Sequence, residues 1–205
     1  MFNRRGFLLS LAASGGAVLG AFPKQSILLG QSQIETAQPG DWAMFGYDLQ
    51  GTRFNTDEKI IGTESVERLA VKWTFEGMQD FSQSTPLIIN GSLYTAANDG
   101  YVYALDIESG ELKWKFNAWE GIKPNEPGLY QTAINADPIG QMRGSAAYAD
   151  GHIFIGDGTS RIHCLDAVTG EEVWQRQLDP LAGTHRSKIS STPIVYDGKI
   201  YVGTS

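Results

Sequence analysis

The chain has one cysteine in 205 residues, Cys164, so no disulfide can form within it. It lacks a Cys-x-x-Cys-His sequence, which excludes a covalently attached c-type haem in these residues. No cysteine stands just after the N-terminal apolar stretch, which excludes a lipoprotein anchor there. That stretch, Phe7 to Phe22, runs 16 residues without a charge, short of the roughly 20 needed to span a bilayer. Basic side chains are also scarce, with 16 Lys and Arg against 23 Asp and Glu. Without the first 22 residues, which hold two arginines and no acid, the balance is 14 to 23, a net charge of −9. An acidic surface of this kind argues against nucleic acid as a partner, because phosphate binding needs basic patches. There is no Gly-x-Ser-x-Gly elbow and no phosphate-cradling Gly-Lys-Ser/Thr loop. His152, His163 and His185 have no metal-ligand spacing. Proline is sparse too, at 8, against 24 glycines. A chain that is 41% hydrophobic with so much glycine suits a folded, turn-rich protein rather than a disordered one.

The N-terminus has the layout of an export signal, a basic start followed by an apolar middle. Its Arg4-Arg5-Gly6-Phe7-Leu8 resembles a twin-arginine signal, with Asn3 where Ser or Thr is usual. Residues 1–38 therefore read as signal and linker, with cleavage expected between Gly20 and Gln38 and no stable membrane anchor afterwards. The expected location is the periplasm or another exported compartment.

The remainder, 39–205, is repetitive. "ALDIESGELKW", Ala104 to Trp114, returns as "CLDAVTGEEVW", Cys164 to Trp174. Around this phrase three longer segments align: Ser84 to Phe116, Gly144 to Arg176, and a third that starts at Ser191 and is interrupted at Ser205. Each contains short runs rich in β-branched and aromatic residues, such as "TPLII", "SLYTA", "YVYALD" and "LKWKF". Between them stand Asn90-Gly91, Asp99-Gly100, Asp150-Gly151 and Asp197-Gly198, pairs that supply the positive φ angles of tight hairpins. The expected fold is all-β, built of four-stranded antiparallel β-propeller blades in an incomplete ring. A lone blade buries only part of its faces, so neighbouring blades must pack together. The tryptophan ending each phrase is suited to that joint, where its burial contributes roughly 2–3 kcal/mol. The small Ala104 or Cys164 leaves room for the indole.

The pattern Ala-x-Asp-x-x-Ser/Thr-Gly-x-x-x-Trp resembles the tryptophan-docking motif of the quinoprotein dehydrogenases, which carry pyrroloquinoline quinone (PQQ). Upstream, "DWAMFGYDLQGTRFN" (Asp41 to Asn55) and "LAVKWTF" (Leu69 to Phe75) resemble that family's approach to the propeller. Downstream, "WQRQLDPLAG" and "SSTPIVYDGKIYVGTS" are most similar to the polyvinyl alcohol dehydrogenase-like branch. The resemblance implies a ring of about eight blades, so this chain reads as the N-terminal part of a longer exported alcohol dehydrogenase, or as a truncated gene. It implies PQQ and calcium as cofactors, a small or polymeric alcohol as substrate, and cytochrome c or another external electron acceptor. Four positions match the family's cofactor-binding strands: Gln83, Arg143, Ser190 and Ser205. For Arg143 there is an independent physical reason, since PQQ is a tricarboxylate and a guanidinium binds a carboxylate through two parallel hydrogen bonds. The adjacent cysteines of the methanol-oxidising branch are missing from "NADPIGQM", Asn135 to Met142. The resemblance places the calcium ligands and catalytic Asp beyond Ser205, so no catalytic or metal residue is assigned here. The insertion from Asn117 to Pro138 is long for a connection between blades and is expected to cover the funnel over the axis. The competing expectations are a non-catalytic propeller scaffold for protein interaction and a non-functional gene fragment.

Overall fold

The computed structural model describes residues 38–118, 120, 142–178 and 188–204. The first four strands are β1 (Leu87–Ile89), β2 (Ser92–Ala96), β3 (Tyr101–Asp106) and β4 (Leu112–Asn117), and they form one antiparallel sheet in sequence order. A second sheet repeats the plan with β5 (Ala147–Ala149), β6 (His152–Gly156), β7 (Arg161–Asp166) and β8 (Glu172–Gln177). A third begins with the hairpin of β9 (Ile194–Tyr196) and β10 (Lys199–Tyr201). These are two complete propeller blades and the start of another, and no closed ring is seen among the described residues. The segment read as an export signal lies outside them, as does nearly all of the insertion.

Turn chemistry sets the hairpins. Asn90-Gly91, Asp150-Gly151 and Asp197-Gly198 all have positive φ at both positions, from 48° to 77°, as a two-residue hairpin requires. Asp99-Gly100 differs: only the glycine is left-handed, at 81°, within a longer turn closed from Gly100 N–H to the Ala97 carbonyl. In the second blade Ser160 takes that left-handed place, at 61°.

The recurring phrase now has a physical account. Asp106 Oδ1 accepts the backbone N–H groups of Glu108 and Ser109, each at 3.0 Å, and the Ser109 hydroxyl. Asp166 does the same with Val168, Thr169 and the Thr169 hydroxyl. These bonds, that of Ser109 N–H first, hold the Asp106 carboxyl well below the usual range, at about 2. The turn they fix presents Gly110 or Gly170 at positive φ to an indole from the preceding segment. Trp114 of the first blade lies so close to Gly170 that a Cβ there would come within 2.5 Å of the ring. Its Nε1 donates to the Ala167 carbonyl at 3.1 Å. Trp73, outside any strand, docks on Gly110 in the same way and donates to the Ile107 carbonyl at 2.9 Å. The glycine and tryptophan of one written phrase thus serve two different joints.

Within each blade the small residue stands between two rings. Ala104 pairs with Tyr94 on one side and Trp114 on the other, and Cys164 pairs likewise with Phe154 and Trp174. Ring centroids then approach to 5.8 Å in the first blade and 6.1 Å in the second. The main core lies between the blades: Leu87, Ile89, Val102 and Ala104 pack with Tyr148, Ile153, Ile155 and Leu165. A strap from the N-terminal side crosses both. Trp42 bridges Ile88 beside β2's partner β1, and the Ala43 carbonyl accepts the Tyr148 N–H of β5 at 2.9 Å.

Candidate functional site

The segments that lead into β1, β5 and β9 run side by side and enclose a cleft of about 380 Å³. Gln83, Arg143 and Ser190 all line it, one from each blade. Gln83 and Ser190 are exposed and Arg143 is half-buried. Ser205, the fourth candidate, lies outside the described residues. The structure thus brings three of the four positions together, although 107 residues separate the first from the last.

The lining has a definite chemical character. It contains one cation, Arg143, one amide, Gln83, and the hydroxyls of Thr85, Ser145, Ser190, Ser191 and Thr192. Among the described residues it contains no carboxylate, in a chain whose formal net charge is −7. Met44 and Phe45 of the strap add an apolar wall. The Arg53 guanidinium sits 5.4 Å from the centre of the Phe45 ring, a cation–π distance. A cleft with these donors and no negative side chain suits a planar anion that carries carboxylates.

The hydroxyls have structural partners of their own. Ser84 Oγ bonds both the N–H and the carbonyl of Ala96, and Ser191 Oγ bonds both groups of Gly203 at 2.9 Å. These first serines of each Ser-Thr-Pro tie the lead-in to the second strand of its own blade. The residue that follows reaches across the joint instead. Thr85 N–H donates to Ser145 Oγ at 2.7 Å, and Ser145 N–H donates to Thr192 Oγ1 at 3.1 Å.

A second polar cluster was hidden in what the sequence presents as a turn. Asp157 is fully buried. Its carboxylate accepts from Arg161 N–H, Nε and the Thr159 hydroxyl, and pairs with Arg161 Nη2 at 2.9 Å. The ring of His163, 1% exposed, lies between Asp157, 3.3 Å from Nε2, and Glu172, 2.7 Å from Nδ1. Burial pushes the Asp157 carboxyl up, but the hydrogen bond and charge of His163 and the charge of Arg161 outweigh it and hold the group low. Arg161 also donates to the Ala118 carbonyl at 2.7 Å, and the Phe116 ring meets His163 edge-on. The cluster therefore joins the first blade's last strand to the second blade. Its sequence signal is the replacement of Tyr101 and Tyr103 of the first copy by Arg161, which needs a counter-charge, and His163, whose ring nitrogens need hydrogen-bond partners. Among the described residues no group of three or more His, Cys, Asp or Glu side chains could hold a metal ion. No helix among them is long and apolar enough to cross a membrane.

Comparison with known proteins supplies the wider context. The sequence pattern of the PQQ family "Glucose/ethanol/alcohol dehydrogenase, beta-propeller domain" matches residues 42–170. The chain is 31% identical over 170 residues to the dehydrogenase subunit of an alcohol dehydrogenase (quinone) from Gluconobacter oxydans, covering 80% of this chain and 21% of that protein. It is 28% identical over 173 residues to a 1-butanol dehydrogenase (cytochrome c) from Thauera butanivorans, covering 84% and 23%. In structure it is similar to the quinohemoprotein alcohol dehydrogenase ADHIIG of Pseudomonas putida HK5, with a TM-score of 0.67, 25% identity, and coverage of 82% and 23%. The chain thus spans about a fifth to a quarter of the length of these relatives.

Proposed function

The chain belongs to the PQQ β-propeller family of glucose, ethanol and alcohol dehydrogenases, and on that premise we propose that the cleft between the blade lead-ins binds PQQ. The observation that carries the proposal is the lining: among the described residues it holds one guanidinium, one amide and five hydroxyls, and no carboxylate. Arg143 pairs with a carboxylate of the cofactor through parallel N–H bonds, a geometry that fixes orientation as well as affinity. Gln83 can both donate and accept, and the Ser190 hydroxyl can do the same. Ser205 contributes a further hydroxyl in this proposal. Met44 and Phe45 give the cleft one apolar wall.

When bound, PQQ supplies the redox chemistry, and the protein's part is to bind, orient and tune it. Calcium is proposed as the accompanying ion, with its ligands and the catalytic Asp outside the described residues. The intact protein then oxidises a primary or secondary alcohol, small or polymeric, with the polyvinyl alcohol dehydrogenase-like branch as the nearest class. The electrons pass to an external acceptor such as cytochrome c, a reading supported by the acceptor named for the Thauera relative. Export through the twin-arginine-like signal, to the periplasm or another exported compartment, belongs to this proposal.

The test is an equilibrium titration of the intact protein with PQQ, with calcium present and after its removal by a chelator. Arg143→Ala should weaken binding about tenfold or more, the loss of a charge-assisted pair. Equal affinity in the variant and the unmutated protein contradicts the assignment.

A further inference from the structure

The hydroxyls that follow Ser84, Gly144 and Ser191 occupy the same place in three successive blades: Thr85, Ser145 and Thr192. Ser145 Oγ accepts the Thr85 N–H of the blade before it, and Thr192 Oγ1 accepts the Ser145 N–H in turn. These bonds form a ladder that runs from blade to blade along the wall of the cleft. Each rung joins one lead-in to the next, independently of the tryptophan joints at the opposite end of the strands. Ser145 is 4% exposed, so loss of its oxygen removes the acceptor of the half-buried Thr85 N–H from the joint.

One further contact sets the spacing. Gly144 lies so near the third blade's lead-in that a Cβ would fall 2.5 Å from the Ser191 carbonyl oxygen. The two backbones, one carrying Arg143 and the other Ser190, meet there directly. Arg143 is the residue before Gly144, and Ser190 the residue before Ser191. The Thr192 rung therefore ties the lead-in of Arg143 to that of Ser190, and the Ser145 rung ties the lead-in of Gln83 to that of Arg143.

We propose that Ser145 and Thr192 are positioning residues: their hydroxyls lock neighbouring blade lead-ins in register and so hold Arg143 in its binding geometry. This rests on the reading of the cleft as the PQQ site. It makes the second hydroxyl of the Ser-Thr-Pro pattern a functional part of the repeat as well as a turn residue. Threonine at 85 and 192 and serine at 145 show that either hydroxyl suits the place.

The experiment uses the intact protein and four variants: Ser145→Ala, Ser145→Thr, Thr192→Ala and Ser145→Ala combined with Arg143→Ala. Amide hydrogen exchange at Thr85 and Ser145 reads the rungs, and equilibrium titration with PQQ reads the cleft. Ser145→Ala should speed exchange at Thr85 and weaken PQQ binding, each by about tenfold, the scale of one hydrogen bond. Thr192→Ala should do the same to exchange at Ser145. Ser145→Thr should restore both readings. Adding Ser145→Ala to Arg143→Ala should weaken binding no further, because the hydroxyl acts through the arginine. Unchanged exchange at Thr85 in Ser145→Ala overturns the ladder. Faster exchange with unchanged affinity, or with a loss fully additive to that of Arg143→Ala, overturns the positioning role. If the unmutated protein binds no PQQ, the underlying reading fails and this inference with it, an outcome distinct from a loss confined to the variants.

Discussion

At the scale of single residues, the same position in the repeat can hold different chemistry. Where the first copy has Tyr103, bonded to Asp99 at 2.5 Å, the second has His163 between two carboxylates. Asp157 is the centre of that arrangement, and its low carboxyl gives its contribution a definite pH dependence. The group is held below its unfolded value in the folded protein. Its stabilisation is therefore complete above the ordinary carboxylate value of about 3.9 and is lost as the pH falls through the lower folded value. Asp157→Asn should cost about 3 kcal/mol at pH 7, because Arg161 loses its buried counter-charge and His163 a hydrogen-bond partner. Urea unfolding of the two proteins at pH 7 and pH 3 checks this. The gap should narrow at the acid end, and an equal gap at both pH values speaks against the charge cluster as its source. Cys164 is quiet by comparison, since burial pushes its thiol up to about 11, and its role is to be small beside Trp174.

At the scale of elements, the blade joint is a glycine facing an indole. Gly170 and Gly151 have nearly the same backbone, with φ at 75° and 77°, but very different surroundings. An added Cβ meets the Trp114 ring at Gly170 and nothing within 4 Å at Gly151. Alanine at Gly151 should cost about 1 kcal/mol, the ordinary penalty of a left-handed residue. Alanine at Gly170 should cost about 3 kcal/mol, because the indole must also move. Thermal or urea unfolding of both variants gives the difference, and equal losses mean that the glycine serves only the turn. Much of this element was legible in the sequence. The strands of the first blade fall on "SLYTA" and "YVYALD", and three Asn-Gly or Asp-Gly pairs form the expected hairpins, because period-two patterning and positive-φ turns are local properties. What was not legible is which partner each residue serves. Trp73 stands outside any repeat yet docks on Gly110, and Asp157 reads as a turn residue yet lies at the centre of a buried cluster. Both depend on the neighbouring blade, and local pattern carries no record of that.

At the scale of the molecule, the repeat brings distant residues to one wall. Gln83, Arg143 and Ser190 were legible as candidates through family resemblance, and the three lead-ins place them around one cleft. The serine–threonine ladder beside them was not legible, because a hydroxyl before proline reads equally as turn chemistry. Trp174 is the counterpart of Trp114 on β8, and it is 40% exposed among the described residues. The claim on which the account turns is that PQQ occupies the cleft carried by these lead-ins. The most direct measurement is a structure of the intact protein with PQQ bound. The account predicts the cofactor between the lead-ins to β1, β5 and β9, with a carboxylate at hydrogen-bond distance from the Arg143 guanidinium. Cofactor bound elsewhere, with Arg143 turned to solvent, would contradict it.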